Sequence, residues 1–250
     1  MSSALLRSQE FPDITDVYER FTALTAASPE LGGGSLLLYL GLDRRGVSLA
    51  IAANIASGAS LGVDPDLARA KASIRSGACD FLVNTLDESL RILKNEIRKK
   101  KAVSVVLVGS APGVVAEMVE RGVQPEILVG AAPGIETLVE RGARRLGAAW
   151  ANGVAVTWGV AREPLRWLPV VDRLAALALD PAGAATSARK RWLEAAPRYL
   201  GRALAGQRYL RMSEAEAETF VAAVRREVEN GAIPVAVTVT GDGSETAIAP

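Results

Sequence analysis

The sequence predicts an α/β fold: a doubly wound, mainly parallel sheet followed by a helical C-terminal extension. Three observations lead there. Short apolar runs alternate with helical stretches between Ser35 and Trp158, the pattern of parallel strands joined by crossover helices. Most of those runs are apolar on both faces, as strands covered on both sides must be. After Pro164 the composition turns to Ala, Arg and Leu with few strand signals. The expected organisation is an N-terminal helix in residues 1–30, the doubly wound domain in 31–160, and a mostly helical extension ending in a strand in 161–250.

Taken in order, residues 11–27 read as a helix with Asp13 or Thr15 as N-cap. The glycines at 32–34 release the chain into an apolar strand at 35–40. The turn Gly41–Gly46, GLDRRG, feeds an uncharged helix at 47–57, and 59–63 is a second strand. Pro65 starts a helix through Ser76, and 80–84 adds a brief strand. Residues 86–101 are amphipathic, and the basic run 98–101 suits a helix C-terminus. The clearest strand is 102–108, AVSVVLV. A helix at 113–121, a strand at 127–129, a long helix at 135–152 and a strand at 154–158 follow. Residues 164–206 read as helices broken at Pro169, Pro181 and Pro197. Ser213 with Glu216 forms a capping box for a helix to Asn230, Gly231 ends it, and 233–240 is a strand. Beyond Gly243 the tail is expected to be mobile. The near-repeat MVERG (118–122) and LVERG (138–142) is a helix end each time rather than a true repeat.

Composition narrows the chemistry. The chain has 250 residues, 49% of them hydrophobic and 23% charged, so it has the means to build a core. A formal charge of +1 gives no electrostatic case for nucleic-acid binding. There is no histidine and one cysteine, which excludes a Ser-His-Asp triad, a Cys-His dyad, imidazole metal ligation and an internal disulfide. No metal site is expected. The start, 1–9, has no signal-peptide core, so a cytoplasmic location is expected. Residues 46–63 are uncharged enough to mimic a membrane span, but Asn54, several serines and two internal glycines fit a helix buried against a sheet.

Doubly wound folds bind phosphate where the first strand turns into a helix, because backbone N–H groups and the dipole converge there. Here that turn keeps Gly41 and Gly46, while Asp43, Arg44 and Arg45 stand where glycine would let a pyrophosphate approach. Arg44 and Arg45 either bind phosphate with their side chains or belong to a solvated turn. Asp64 lies 18 residues after Gly46, near the spacing of a ribose-binding acid, or else serves only to cap the next helix. Gly109, Ser110 and Ala111, after the strongest strand, form a ligand loop or a tight turn. Cys79 has no imidazole to activate it and reads as inert.

These motifs, in this order, resemble the urocanase (urocanate hydratase) family. The resemblance is strongest in residues 86–128, where LDESL, the strand ending LVGSA and the segment MVERGVQPEI follow the family's pattern. Upstream, YERF at 18–21, the break at Gly33, SGAS at 57–60 and Val63-Asp64-Pro65 keep its order. Downstream it continues more thinly through Asn152-Gly153, Trp158-Gly159, PLRW at 164–167, Asp180-Pro181, RWL at 191–193 and NGAI at 230–233. The resemblance implies a Rossmann-like domain binding NAD, with Gly41, Asp43, Arg44, Arg45, Gly46, Asp64, Gly109, Ser110 and Ala111 as its cofactor-binding positions.

The departures bear on activity. The family's GLGGMGG turn is GLDRRGV here, matched to within one residue of register. The acid before Val63-Asp64-Pro65 is Gly62. The family's D-Q-T-S-A-H-D-P segment is replaced by Val129-Gly130-Ala131-Ala132-Pro133, and its catalytic cysteine falls near 209–211, where there is none. The expected function is therefore a urocanase-like, NAD-type nucleotide-binding protein without urocanate hydratase activity. The alternative is a non-catalytic binding or oligomeric scaffold that has lost the cofactor. If the chain is an enzyme, the resemblance implies a lyase-like or NAD-dependent step. The expected partners are a small-molecule nucleotide and further copies of the chain, with no nucleic acid and no membrane.

Overall fold

The computed structural model describes residues 12–28, 35–148, 153–183, 185–200, 206–241 and 243–250. Expectations resting on residues 1–11, the glycines at 32–34, residues 149–152 and Asp242 lie outside the described residues. The chain divides into two units, Met1–Ala149 and Trp150–Pro250.

The first unit begins with α1 (Ile14–Ala27), capped by Asp13, whose carboxylate accepts the Thr15 N–H at 3.1 Å. There follow β1 (Leu36–Leu40), α2 (Arg44–Ile55), β2 (Ala59–Asp64), α3 (Leu67–Ser76), β3 (Phe81–Val83), α4 (Leu86–Arg98), β4 (Val103–Val108), α5 (Ala111–Glu120), β5 (Ile127–Val129), α6 (Ile135–Glu140) and β6 (Arg144–Arg145). The six strands are all parallel, in the order β3-β4-β2-β1-β5-β6. The strands that are apolar on both faces, β1 and β4, are interior, as the sequence predicts. On one face Leu38, Leu61, Val63, Val105, Leu107 and Leu128 pack in a core with Leu93, Val115, Met118 and Leu138. On the other, α2 approaches the small residues of β2 and β4, and the Ser104 hydroxyl reaches the Ala50 carbonyl at 3.4 Å. Because α1 covers the outer side of α2, residues 48–55 are all buried. That double covering, rather than lipid, explains the uncharged segment. Among the described residues no helix is long and apolar enough to cross a membrane.

The long helix expected at 135–152 is only α6. Gly142, at φ +111°, turns the chain, and the N–H groups of Gly142 and Ala143 close onto the carbonyls of Val139 and Leu138. This is a glycine C-terminal cap, after which Arg144 and Arg145 pair beside β5.

The second unit contains β7 (Val154–Val160), α7 (Pro164–Ala178), α8 (Thr186–Leu200), β8 (Gln207–Met212), α9 (Glu214–Glu229), β9 (Val237–Gly241) and β10 (Ser244–Ile248). The expected C-terminal helices are present, but they accompany a four-stranded antiparallel sheet, β10-β9-β7-β8. The strand at 154–158, expected to belong with the preceding domain, is the inner strand β7 of this sheet. Its burial alternates, with Val156 and Trp158 buried and their neighbours half-buried, as an antiparallel strand with one packed face requires. The tail expected to be mobile is β10, paired with β9, with Gly243 at φ +76° just before it. Pro169 and Pro197 do not break their helices. Pro169 sits in the second turn of α7, where the carbonyl it leaves without a donor belongs to Leu165, a residue 95% exposed. Pro197 lies in the last turn of α8, which is held by buried Trp192, Leu193, Ala196 and Leu200. The Ser213–Glu216 capping box forms as expected.

Candidate functional site

The carboxyl ends of β1, β2 and β4 bring Gly41–Gly46, Asp64 and Gly109–Ala111 together. Gly41, at φ +100°, donates its N–H to the Val63 carbonyl at 2.8 Å. A Cβ at Gly46 would stand 2.0 Å from the Gly41 carbonyl oxygen. Only glycine permits that approach, so Gly41 and Gly46 keep the geometry of the first and last glycines of a dinucleotide-binding turn.

Asp43 takes the place of the glycine between them. It is the N-cap of α2, and its Oδ1 accepts the Gly46 N–H at 2.9 Å. Arg44 does not face this turn. Its Nε lies 2.8 Å from Asp16 Oδ2 on α1, and both side chains are exposed. Arg45 is exposed, with no ion pair among the described residues.

Asp64 is 1% exposed and each carboxylate oxygen serves two donors. Oδ2 accepts the Leu42 N–H at 2.6 Å and Arg69 Nε at 3.0 Å; Oδ1 accepts the Asp66 N–H at 2.7 Å and Arg69 Nη2 at 2.9 Å. Burial pushes its pKa up, but Arg69 and the two backbone N–H groups outweigh burial and hold it below the usual aspartate value. Its backbone carbonyl accepts the Gly109 N–H at 3.2 Å. Asp64 therefore ties both turns together, a role that the spacing to Gly46 alone did not disclose. Arg69 also lies 3.4 Å from Asp66.

Ser110 caps α5, its hydroxyl accepting the Gly113 N–H at 3.3 Å. The corresponding loop after β5, residues 130–134, was not a sequence candidate. Its signal is a longer repeat, since VGSAPG at 108–113 recurs as VGAAPG at 129–134 ahead of the two VERG segments. Both copies run from a strand into a helix and end in the same cap. Gly122 bonds to Val119 and Val123 to Met118, as Gly142 bonds to Val139 and Ala143 to Leu138. The near-repeat thus comprises two successive strand–turn–helix units.

Cys79 is 3% exposed, with Sγ 3.6 Å from the Tyr39 hydroxyl, and burial pushes its thiol pKa up. That suits an unreactive thiol. The ring of Tyr39 fills the space at Gly62, where a Cβ would lie 2.5 Å from its Cζ. The departure at Gly62 is thus coupled to a buried tyrosine. Tyr209 and Arg211, where the family's cysteine would fall, lie on β8 of the second unit. No group of acidic or thiol side chains among the described residues could hold a metal ion.

A parallel, doubly wound sheet with a glycine turn at the carboxyl end of its first strand is a Rossmann-like domain. Residues 17–133 match the family model of the urocanase Rossmann-like domain. Over that span the chain is similar to the urocanases. The family's NAD would need its diphosphate at Gly41–Gly46 and an acid with free oxygens for its ribose. The residues present do not fit it, because the Asp43 carboxylate stands at the α2 N-terminus and all four contacts of Asp64 are internal.

Proposed function

We propose that this chain is a urocanase relative without urocanate hydratase activity, a Rossmann-like binding scaffold in place of a catalyst. The observation that supports this most is the lack, among the described residues, of working acid–base groups at the carboxyl edge of the sheet. Loops 109–113 and 130–134 contain only Gly, Ala, Ser and Pro. Of the three nearby carboxylates, Asp64 is saturated by the fold's own donors, while Asp43 caps α2 and Asp66 caps α3. Hydration of a conjugated acid needs protons delivered and removed at fixed positions, and each such group contributes typically 10²–10⁴-fold. A second reading, a nucleotide of NAD type held between Gly41–Gly46 and Gly109–Ala111, has the close Gly41–Gly46 approach in its favour. Against it stand Asp43 and Asp64.

The purified chain, given urocanate and NAD⁺, is expected to consume urocanate no faster than buffer when its ultraviolet absorbance is followed. Protein-dependent loss of absorbance that persists through further purification would overturn the proposal.

A further inference from the structure

The misfit at the turn can be assigned to one side chain. We infer that Asp43 is an internal anion occupying the diphosphate position of the Gly41–Gly46 turn, and that it keeps dinucleotides out of an otherwise dinucleotide-shaped turn. This rests on the proposed loss of hydratase activity and names its structural cause.

Three observations carry it. First, Gly41, Asp43 and Gly46 stand at the spacing of G-x-G-x-x-G, so Asp43 replaces the glycine whose missing side chain lets the pyrophosphate reach the backbone. Second, its Oδ1 already accepts the Gly46 N–H at 2.9 Å, a donor that an incoming phosphate would use. Third, two of the three neighbouring cations are already engaged, and the third, Arg45, is an exposed side chain one residue beyond Arg44. Arg44 is paired with Asp16, and Arg69 with Asp64 and Asp66. A diphosphate would therefore meet a carboxylate of its own sign at the helix terminus. Asp64 reinforces the exclusion, since its Oδ2 holds the Leu42 N–H at 2.6 Å and its oxygens are spent before any ribose hydroxyl could reach them.

The experiment is calorimetric titration of NAD⁺ into the full chain and two variants, with AMP, which has no diphosphate bridge, as a second probe. Asp43→Gly restores the turn's glycine. Asp43→Asn keeps an effective N-cap while removing the charge, so it stays testable where the glycine variant fails to fold. Wild type is expected to show no saturable NAD⁺ binding up to about 1 mM, and at least one variant to gain about tenfold or more in affinity. AMP is expected to gain little. Saturable NAD⁺ binding by wild type, or folded variants that both bind no better than wild type, would overturn the inference. Wild-type binding without urocanate turnover would sink this inference alone, whereas turnover would sink the proposed function as well.

Discussion

Trp158→Ala is expected to destabilise the second unit by about 3–5 kcal/mol, the range for emptying a large aromatic site in a core. Trp158 is 1% exposed on the inner strand β7, its ring 5.0 Å from that of Phe220 in an edge arrangement. Its indole N–H donates to Asp172 Oδ1 at 2.9 Å, while Arg208 Nε holds Oδ2 at 3.0 Å. Truncation thus leaves a cavity and removes a donor from a buried carboxylate. Burial already pushes the Asp172 pKa up against the pull of Arg208 and Trp158, so losing the indole should raise it further. Trp158→Phe, which fills most of the space without the N–H, should lose less. Urea unfolding followed by circular dichroism measures both variants against wild type, and an alanine variant within about 1 kcal/mol of wild type would contradict this packing.

Glu216 should give a loss of similar size with a pH signature. It is 6% exposed, and its oxygens accept Arg189 Nη1 at 2.6 Å, Arg189 Nη2 at 2.9 Å, and the N–H groups of Asp180 and Ser213 at 2.8 Å each. Burial alone would raise its pKa, but Arg189 and the two backbone donors bring it down from 4.5 to about 2. A carboxylate depressed on folding contributes its full stability above the unfolded value and loses it as pH falls through the folded one. The contribution should therefore be complete above about pH 4.5 and fade toward pH 2, an amount on the order of 3 kcal/mol. Glu216→Ala strands the Arg189 guanidinium and should cost about 3–5 kcal/mol at neutral pH. Glu216→Gln keeps the shape without the charge and should flatten the acid limb of the stability profile. An unchanged acid limb in that variant would show that the pair does not act as described.

The first unit was largely legible because its signals are local. The largely apolar runs of β1 and β4 admit only interior strands, and in the second unit Ser213 with Glu216 likewise announces a helix start by spacing alone. What was missed depends on partners distant in sequence. Gln207–Met212 alternates poorly, and its pairing with β7 is set by residues some fifty positions earlier. Gly142 was readable as a helix cap, but the surrounding periodicity outweighed it, and the position of residues 244–248 near a terminus outweighed their strand pairing. At the site, the sequence located the positions without their roles. Asp64 has nearly the spacing of a ribose-binding acid, yet its oxygens are directed by Leu42, Asp66 and Arg69, and only the folded chain shows them spent. Arg44 has the charge to hold phosphate, but Asp16 on α1 claims it.

Native mass spectrometry of the purified chain, sprayed with NAD⁺ in excess, tests most directly whether its own carboxylates close the turn. The closed turn predicts only the mass of the bare polypeptide or whole multiples of it. A stoichiometric adduct heavier by one dinucleotide, retained in wild type under gentle desolvation, would contradict it.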